Sequence, residues 1–281
     1  MPMGKTIVYL LEAFVLLFIA KQVYARVFRR VDLVEELYGR NNHALAVAVT
    51  GYFFGISLAL GGALSGSSQG WQADLIGIAL YGVLAIVLMV IAGFLCEKVL
   101  LPHFDNTTEI IRDQNMGTAF VEAGMHIANG LIVLAIVQGT GPIWSGIAFW
   151  LLAQVVLLLA GRLYEMITPH SIHRELERDN AAVGLAFGGL LVGMGNIISI
   201  AVAGDYAGWR AGLETFGVDV AFGFVALYLI HKLTDILLAP GVKLAEEQVE
   251  ESPNIGAGLI EAFGYLGGST LIVWIDRTTP P

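Results

Sequence analysis

Two glutamates occupy matching positions in the two halves of the chain, each inside a long apolar segment. Glu122 follows Asn115 by seven residues, and Glu261 follows Asn254 by the same interval. A carboxylate at membrane depth costs about 2.5–3.5 kcal/mol on insertion scales, so it usually faces a cavity, a partner or an ion. If symmetry brings the two together, repulsion would let them share a proton or bind a cation. The alternative is a protonated, hydrogen-bonded structural pair.

Further polar residues accompany Glu122 on the same helix face. His126 follows it by one turn and Asn129 by one turn more, which predicts a short proton relay. Their counterparts in the second half are Tyr265 and Gly268, so the expected site is only approximately symmetric. A locally paired histidine and interfacial ion pairs are the alternatives. The predicted ion or proton pathway comprises Glu122, Glu261, His126, Asn129, Tyr265, Asn196 and Asp219.

The segments that carry these residues are apolar enough to lie in a bilayer. The chain is 56% hydrophobic and 14% charged, with a mean hydropathy of +0.73. Stretches of about 20 apolar residues span the hydrocarbon as α-helices, because a helix satisfies its own backbone hydrogen bonds. The sequence predicts an all-α integral membrane protein with eight transmembrane helices, at residues 6–24, 43–64, 73–96, 117–137, 142–162, 181–203, 213–239 and 256–275.

Internal repetition divides these helices into two halves and then into four helical hairpins. Asn41 recurs as Asn180 and Asn115 as Asn254 at one common offset, which is close to half of the chain. Successive asparagines of this set are separated by about a quarter of the chain. We expect one four-helix membrane half at residues 1–139 and another at 140–281. Since each half has an even number of spans, both run in the same orientation, and the expected relation is a pseudo-two-fold axis along the membrane normal.

Glycine content separates the helices into two groups. The even-numbered spans contain 17 glycines and the odd-numbered spans seven. Small residues let helix backbones approach closely in lipid, where little hydrophobic drive brings helices together. The even-numbered helices should therefore form the inner cluster.

The recurring asparagines precede the even-numbered helices, after an acidic segment. An asparagine side chain is a preferred N-cap, since its carbonyl accepts from an otherwise unpaired backbone N–H. Nearby carboxylates complement the positive end of the helix dipole. We predict that Asn41, Asn115, Asn180 and Asn254 are helix caps.

The distribution of basic residues predicts the orientation in the membrane. Linkers after the odd-numbered helices hold nine Lys or Arg residues, whereas those after the even-numbered helices hold only Arg210. Basic loops favour the cytoplasmic side, so both termini are expected outside.

Several function classes receive no support from the sequence. The net charge is −9, which speaks against nucleic-acid binding. There is no Walker motif, His-Glu-x-x-His motif, nucleophile elbow or dinucleotide fingerprint, so conventional soluble-type catalysis is unsupported and we expect no cofactor. An intramembrane enzyme that acts on a lipid or a lipid-linked substrate is a third alternative, for which the sequence assigns no nucleophile and base. His103, His170 and His173 lack a defined ligand set, and we expect no metal site.

The acidic and asparagine-containing segments resemble a bacterial inner-membrane family of unknown function typified by YjfL. The resemblance rests on Glu36 with Asn41-Asn42, Glu109 with Asn115, and Glu175 with Asn180, each leading into a small-residue-rich helix. It implies that this chain is two family members joined end to end, located as a multi-pass protein in the inner membrane. It also implies a role that depends on a partner in an envelope-associated complex.

Two hypotheses for the function follow. The first is a channel or transporter for protons or small cations that uses the paired glutamates. The second is a non-enzymatic membrane scaffold or accessory subunit, with a cytoplasmic protein partner bound through the odd-numbered loops. The lipid bilayer is the surrounding partner in both cases, and association into an oligomer is compatible with either.

Overall fold

The computed structural model describes residues 3–66, 68–102, 105–204 and 206–278. Within these ranges it has no strand, and eight helices are long and apolar enough to cross a membrane. The expected all-α membrane fold of four helical hairpins is confirmed. The helices are α1 (Met3–Val23), α2 (His43–Leu64), α3 (Trp71–Leu95), α4 (Met116–Gln138), α5 (Ile143–Ile167), α6 (Ala181–Val202), α7 (Trp209–Leu233) and α8 (Ile255–Thr278).

Short segments join each odd-numbered helix to the next even-numbered one. They contain helical turns at Glu35–Gly39, Asn106–Ile111, Ile172–Glu177 and Leu244–Glu247. We call this end of the bundle the connector side and the end with both chain termini the terminal side. All four even-numbered helices start at the connector side, so they run parallel to one another.

Three odd-numbered helices end in π-helical turns, which the apolar pattern did not predict. These turns are Tyr24–Arg29 after α1, Cys96–Leu100 after α3 and Thr234–Leu238 after α7. A π-turn pairs residues five apart along the backbone. It therefore brings Tyr24 and Arg29 to the same side of the chain, where the Arg29 Nε donates to the Tyr24 hydroxyl at 3.4 Å.

The even-numbered helices pack side by side in the order α2, α4, α6, α8. At each junction, the ninth residue of one helix meets the eighth residue of the next. These pairs are Gly51 with Ala123, Gly124 with Gly188, and Gly189 with Ala262. A Cβ atom on Gly124 would lie only 2.5 Å from the Gly188 carbonyl oxygen, so the close approach requires glycine. All three junctions therefore share one register.

This order contradicts the expected pseudo-two-fold axis. The repeat relates α2 to α6 and α4 to α8, so a two-fold axis that makes α4 pack on α6 must also make α8 pack on α2. Helices α2 and α8 are not packed neighbours. The halves are related by a translation-like step, because each hairpin offers different faces to the hairpins before and after it.

The odd-numbered helices form a second layer over one face of this row. Helix α3 contacts both α2 and α4, α5 contacts α4 and α6, α7 contacts α6 and α8, and α1 lies against α2 and α3. The inner position predicted for the glycine-rich helices is confirmed for α4 and α6, which lie between other even-numbered helices. Helices α2 and α8 are the two ends of the row. In α8, Phe263, 58% exposed, occupies the position held by glycine in the other three.

The capping residue of α2 is Asn42, and the prediction of Asn41 is wrong. Asn42 Oδ1 accepts from the Leu45 amide at 2.9 Å, whereas Asn41 has a φ of +54°. The same left-handed residue precedes the next two caps, at Gln114 and Asp179. The true repeat thus aligns Asn42, rather than its neighbour, with the later asparagines.

In each of the other three caps, the side-chain oxygen accepts a hydrogen bond from the backbone amide three residues ahead, as in Asn42. The acceptors are Asn115, Asn180 and Asn254, with donors Thr118, Val183 and Ala257. Each of the first three caps also donates from Nδ2 to a carbonyl of the following connector, at Ile110, Leu176 or Gln248. This second bond links neighbouring hairpins, so the recurrence of the asparagines has a structural cause.

Substitutions at residues 41 and 42 should change the free energy of unfolding in opposite directions. Asn42→Ala removes the cap and is expected to lower the free energy of unfolding by about 0.5–2 kcal/mol. Asn41→Gly should raise it by a few tenths, since glycine adopts a positive φ without strain. Denaturant titration in detergent measures both, and equal losses would contradict the assignment.

Candidate functional site

Glu122 lies in a buried cluster contributed by α4 and the π-helical turn after α1, which we call the first glutamate site. One carboxylate oxygen accepts from the Tyr24 hydroxyl at 3.0 Å, and the other pairs with the Arg29 guanidinium. Arg29 also donates to Thr107 Oγ1 at 2.8 Å. Arg29 is 2% exposed and Glu122 1% exposed. A buried carboxylate of this kind is tolerated because a guanidinium neutralises it.

His126 continues the site one turn further along α4. Its Nε2 is 3.7 Å from Glu122 Oε1, and its ring meets the ring of Tyr52 edge-on at 5.1 Å. The Tyr52 hydroxyl is buried and has no hydrogen-bond partner among the described residues. Buried hydroxyls without a protein partner usually bind water.

Four buried polar side chains lie in successive turns of α4, and we call them the α4 polar stripe. They are Thr118, Glu122, His126 and Asn129, none more than 1% exposed. From Thr118 to Asn129 the helix rises by about 16 Å. That length is roughly half of a ~30 Å hydrocarbon core.

Helix α5 holds the terminal-side end of the stripe. The Trp150 indole donates to Asn129 Oδ1 at 3.1 Å, and Gln154 Nε2 donates to the same oxygen at 2.8 Å. Two polar atoms along the stripe, Gln154 Oε1 and Thr118 Oγ1, are buried with no partner in the described part of the chain. Each end of the stripe thus presents a polar atom that buried water can satisfy.

A cavity of about 150 Å³ begins one turn beyond Asn129. Its inner end is formed by Leu88, Val133 and Phe149, and it extends to the loops after α4 and α6, which include Gly139 and Gly204. We call it the interhelical cavity. It lies between the two halves of the chain, because α3, α4, α5, α6 and α7 all contribute to its wall.

Glu261 lies in the second glutamate site, which has different partners. Its Oε1 accepts from the Tyr164 hydroxyl at 2.9 Å and lies 3.2 Å from His231 Nδ1. Its Oε2 accepts from Gln248 Nε2 at 2.5 Å. Tyr265 lies on the same helix, with its hydroxyl 3.4 Å from Glu261 Oε1. Neutral donors and a histidine replace the arginine of the first site.

Each glutamate site contains its own tyrosine–glutamate pair. In each half a tyrosine near the connector-side end of the first helix, Tyr24 or Tyr164, donates to the glutamate of the fourth helix. Arg29 follows Tyr24 by five residues, whereas the residue five positions after Tyr164 is Pro169, so the guanidinium has no counterpart. The duplicated sites have therefore diverged in charge.

The expected face-to-face pairing of Glu122 and Glu261 is wrong. Helix α6 lies between α4 and α8, and each carboxylate is enclosed by its own neighbours. The two carboxylates share no hydrogen-bond or ion-pair partner among the described residues. The geometry therefore offers no place where both hold one proton or one cation.

Two other predicted pathway residues lie apart from both glutamates. Asn196 Nδ2 donates to Ser269 Oγ at 3.0 Å, between α6 and α8. Asp219 lines a separate cavity of about 240 Å³ with Asp276, near the terminal side of α7 and α8. The structure unites Glu122, His126 and Asn129 in one stripe, and Tyr265 with Glu261.

Sequence reasoning missed the donors that surround the glutamates. Tyr24 and Tyr164 correspond in the repeat to within one residue, so the repeat could have revealed them beside the glutamates. Arg29 was counted only as a loop charge. Trp150 and Gln154 carry no repeat signal, since their role depends on how α5 packs.

The histidines considered for a metal site have other surroundings. His173 Nδ1 is 2.8 Å from Glu165 Oε1, and its Nε2 is 3.1 Å from the Leu100 carbonyl oxygen. Burial lowers the pKa of His170, which favours its neutral form. His103 lies outside the described residues.

Comparisons with known proteins identify the family. The family model described as Domain of Unknown Function (DUF350) matches residues 2–137 and again residues 140–275. A relative from Aquifex aeolicus (strain VF5), named UPF0719 transmembrane protein, is 21% identical over 248 residues, covering 86% of this chain and 89% of the relative. No solved structure matches. The expected membrane family is confirmed, and the likeness to YjfL stays a prediction. The chain belongs to the DUF350 family, as two copies in tandem.

Proposed function

We propose that this multi-pass membrane protein conducts protons along the α4 polar stripe. The observation that carries the proposal is the burial of four polar side chains in successive turns of one central helix, each at most 1% exposed. Polar groups at membrane depth are costly and usually mark a pathway.

Protons suit this stripe better than metal cations. The guanidinium of Arg29 already neutralises the carboxylate of Glu122, and a second cation there would be repelled. Proton transfer needs only hydrogen-bonding groups and water, and Thr118, Tyr52 and Gln154 each present a buried polar atom without a partner among the described residues. Protonating Glu122 would leave Arg29 without its counter-ion, so the pair acts as the barrier on the path.

The pathway needs access from both sides of the membrane. At the connector side Thr118 is the third residue of α4. At the terminal side the interhelical cavity begins at Val133, one turn beyond Asn129. The basic residues of the connectors favour a cytoplasmic connector side in the inner membrane, with both termini outside.

Replacing His126 with leucine should strongly reduce proton flux, because it breaks the stripe without leaving a buried charge unpaired. Flux is measured in proteoliposomes with an enclosed pH-sensitive dye and an imposed potassium diffusion potential. The matched control is His43→Leu, since His43 is exposed at the start of α2. Glu261→Gln tests whether the second site belongs to the same path. Flux no greater than in protein-free liposomes, or equal flux for parent and His126→Leu, would refute conduction.

A scaffold role is the second candidate, and the glycine junctions of the inner row favour it. Backbones in contact at Gly117 and Gly184, and again at Gly124 and Gly188, make a rigid layer with little freedom to open. In that case the parent protein should show no flux, and His126→Leu should change only stability. A defined partner would then bind the connectors in stoichiometric amounts.

A further inference from the structure

We propose that the interhelical cavity binds an acyl chain of a membrane lipid. Its inner wall is apolar, formed by Leu84, Leu88, Val133, Ile136 and Phe149. A cavity of about 150 Å³ with such a wall has room for an apolar group of about benzene size. An alkyl segment matches both the volume and the chemistry of this wall.

The depth and openings of the cavity fit a lipid that enters from the surrounding leaflet. From Ile143 to Phe149 the wall descends along α5 by about 9 Å into the membrane. Ile143, Ala211 and Thr215 line the cavity on spanning helices and are themselves exposed. Exposed residues of spanning helices face lipid in a bilayer, which would give the cavity a lateral entrance.

The rim of the cavity suits the polar end of the same lipid. Tyr206 lines the cavity, and its ring packs edge-on against Trp144 at 6.4 Å and Trp209 at 5.9 Å. Trp144 is 53% exposed and Trp209 40% exposed. Tryptophan and tyrosine rings prefer the headgroup level of a membrane. An aromatic rim above an apolar pocket therefore suits a lipid whose headgroup lies at the rim and whose acyl chain lies in the cavity.

A bound chain would also cover the terminal-side end of the α4 polar stripe, a consequence that rests on the proposed function. Val133 forms part of the cavity wall, one turn from Asn129. Lipid occupancy would then oppose proton entry. The binding itself is independent of conduction and is tested without any flux measurement.

Tryptophan fluorescence can detect the chain directly. The protein has five tryptophans, of which Trp150 is 1% exposed and follows the cavity residue Phe149. A variant that keeps only Trp150 is reconstituted in vesicles of phosphatidylcholine with or without brominated acyl chains. Trp144 and Trp209 are changed to tyrosine, which keeps an amphipathic aromatic rim, and Trp71 and Trp274 to phenylalanine. A chain in the cavity lies beside Phe149 and so close to the buried indole. We therefore expect stronger quenching when the cavity is open to lipid than when its entrance is blocked.

The matched controls place the chain in this cavity. Ala211→Phe fills the entrance and should restore most of the Trp150 emission, whereas Ala221→Phe, on an exposed face of α7 outside the cavity, should not. Equal emission in brominated and ordinary lipid would overturn the proposal, as would quenching that Ala211→Phe leaves unchanged. If the four replacements prevent folding, native mass spectrometry of the five-tryptophan protein decides: Ala211→Phe should lose one retained lipid relative to Ala221→Phe, and equal lipid numbers would refute the site.

Discussion

Arg29→Met should lower the free energy of unfolding by about 3–5 kcal/mol, the expected cost of leaving a buried charge without its partner. The substitution keeps much of the side-chain volume, so lost packing contributes little. Glu122 would remain 1% exposed, with the Tyr24 hydroxyl as its hydrogen-bond donor. Unfolding of the purified protein in mixed micelles, followed against increasing sodium dodecyl sulfate, measures the loss.

Two companion variants separate the ion pair from general damage. Arg40→Met removes an arginine whose side chain is 61% exposed and paired with Glu36 at 3.0 Å, and it should cost less than about 1 kcal/mol. The double variant Arg29→Met with Glu122→Gln removes both buried charges and should recover most of the stability. A loss in Arg29→Met no larger than in Arg40→Met would show that the pair does not hold this site together.

Gly124→Ala and Gly217→Ala should change stability in opposite directions, although both put one methyl group into a spanning helix. A Cβ on Gly124 would lie 2.5 Å from the Gly188 carbonyl oxygen and 2.7 Å from its Cα. These are backbone atoms that cannot rotate away, so α4 and α6 must separate, at a cost of about 1–3 kcal/mol. At Gly217 nothing lies within 4 Å of the added atom.

The control therefore reports the intrinsic effect of the substitution. Alanine is favoured over glycine in helices by about 0.8–1.0 kcal/mol, so Gly217→Ala should be neutral or stabilising in the same titration. A crosslink between cysteines introduced across the α4–α6 junction would report the separation directly. If Gly124→Ala were as stable as the parent, the close backbone contact between the two halves would be wrong.

The membrane fold and its hairpins were predictable because they depend on local properties of the chain. Eight apolar stretches, the glycine-rich even-numbered helices and the repeat need no knowledge of packing. The depth of Glu122 and Glu261 in their helices follows from counting residues after each asparagine. The cap at Asn42 was missed by one residue, since both Asn41 and Asn42 can cap and only the backbone conformation distinguishes them.

The arrangement of the hairpins depended on the tertiary structure alone. A duplicated chain with parallel halves is compatible with a two-fold pair or with a row, and the choice lies in which faces of α4 and α6 meet. Gly124 meets Gly188 while α2 and α8 are not packed neighbours, and the two observations together select the row. In that row α6 lies between the two glutamates, so the expected site with Glu122 and Glu261 face to face does not form.

The surroundings of each glutamate were likewise decided by packing. The charge of Arg29 is read from the sequence as a loop cation, yet the π-helical turn after α1 carries it into the bundle beside Glu122. Hydrogen bonds between residues far apart along the chain, such as Tyr164 with Glu261, arise only when the layers assemble. The sequence by itself determined which residues lie in the membrane and at what depth, because helix rise and hydropathy are local. Which of them touch was determined by the close packing of glycine-lined helices.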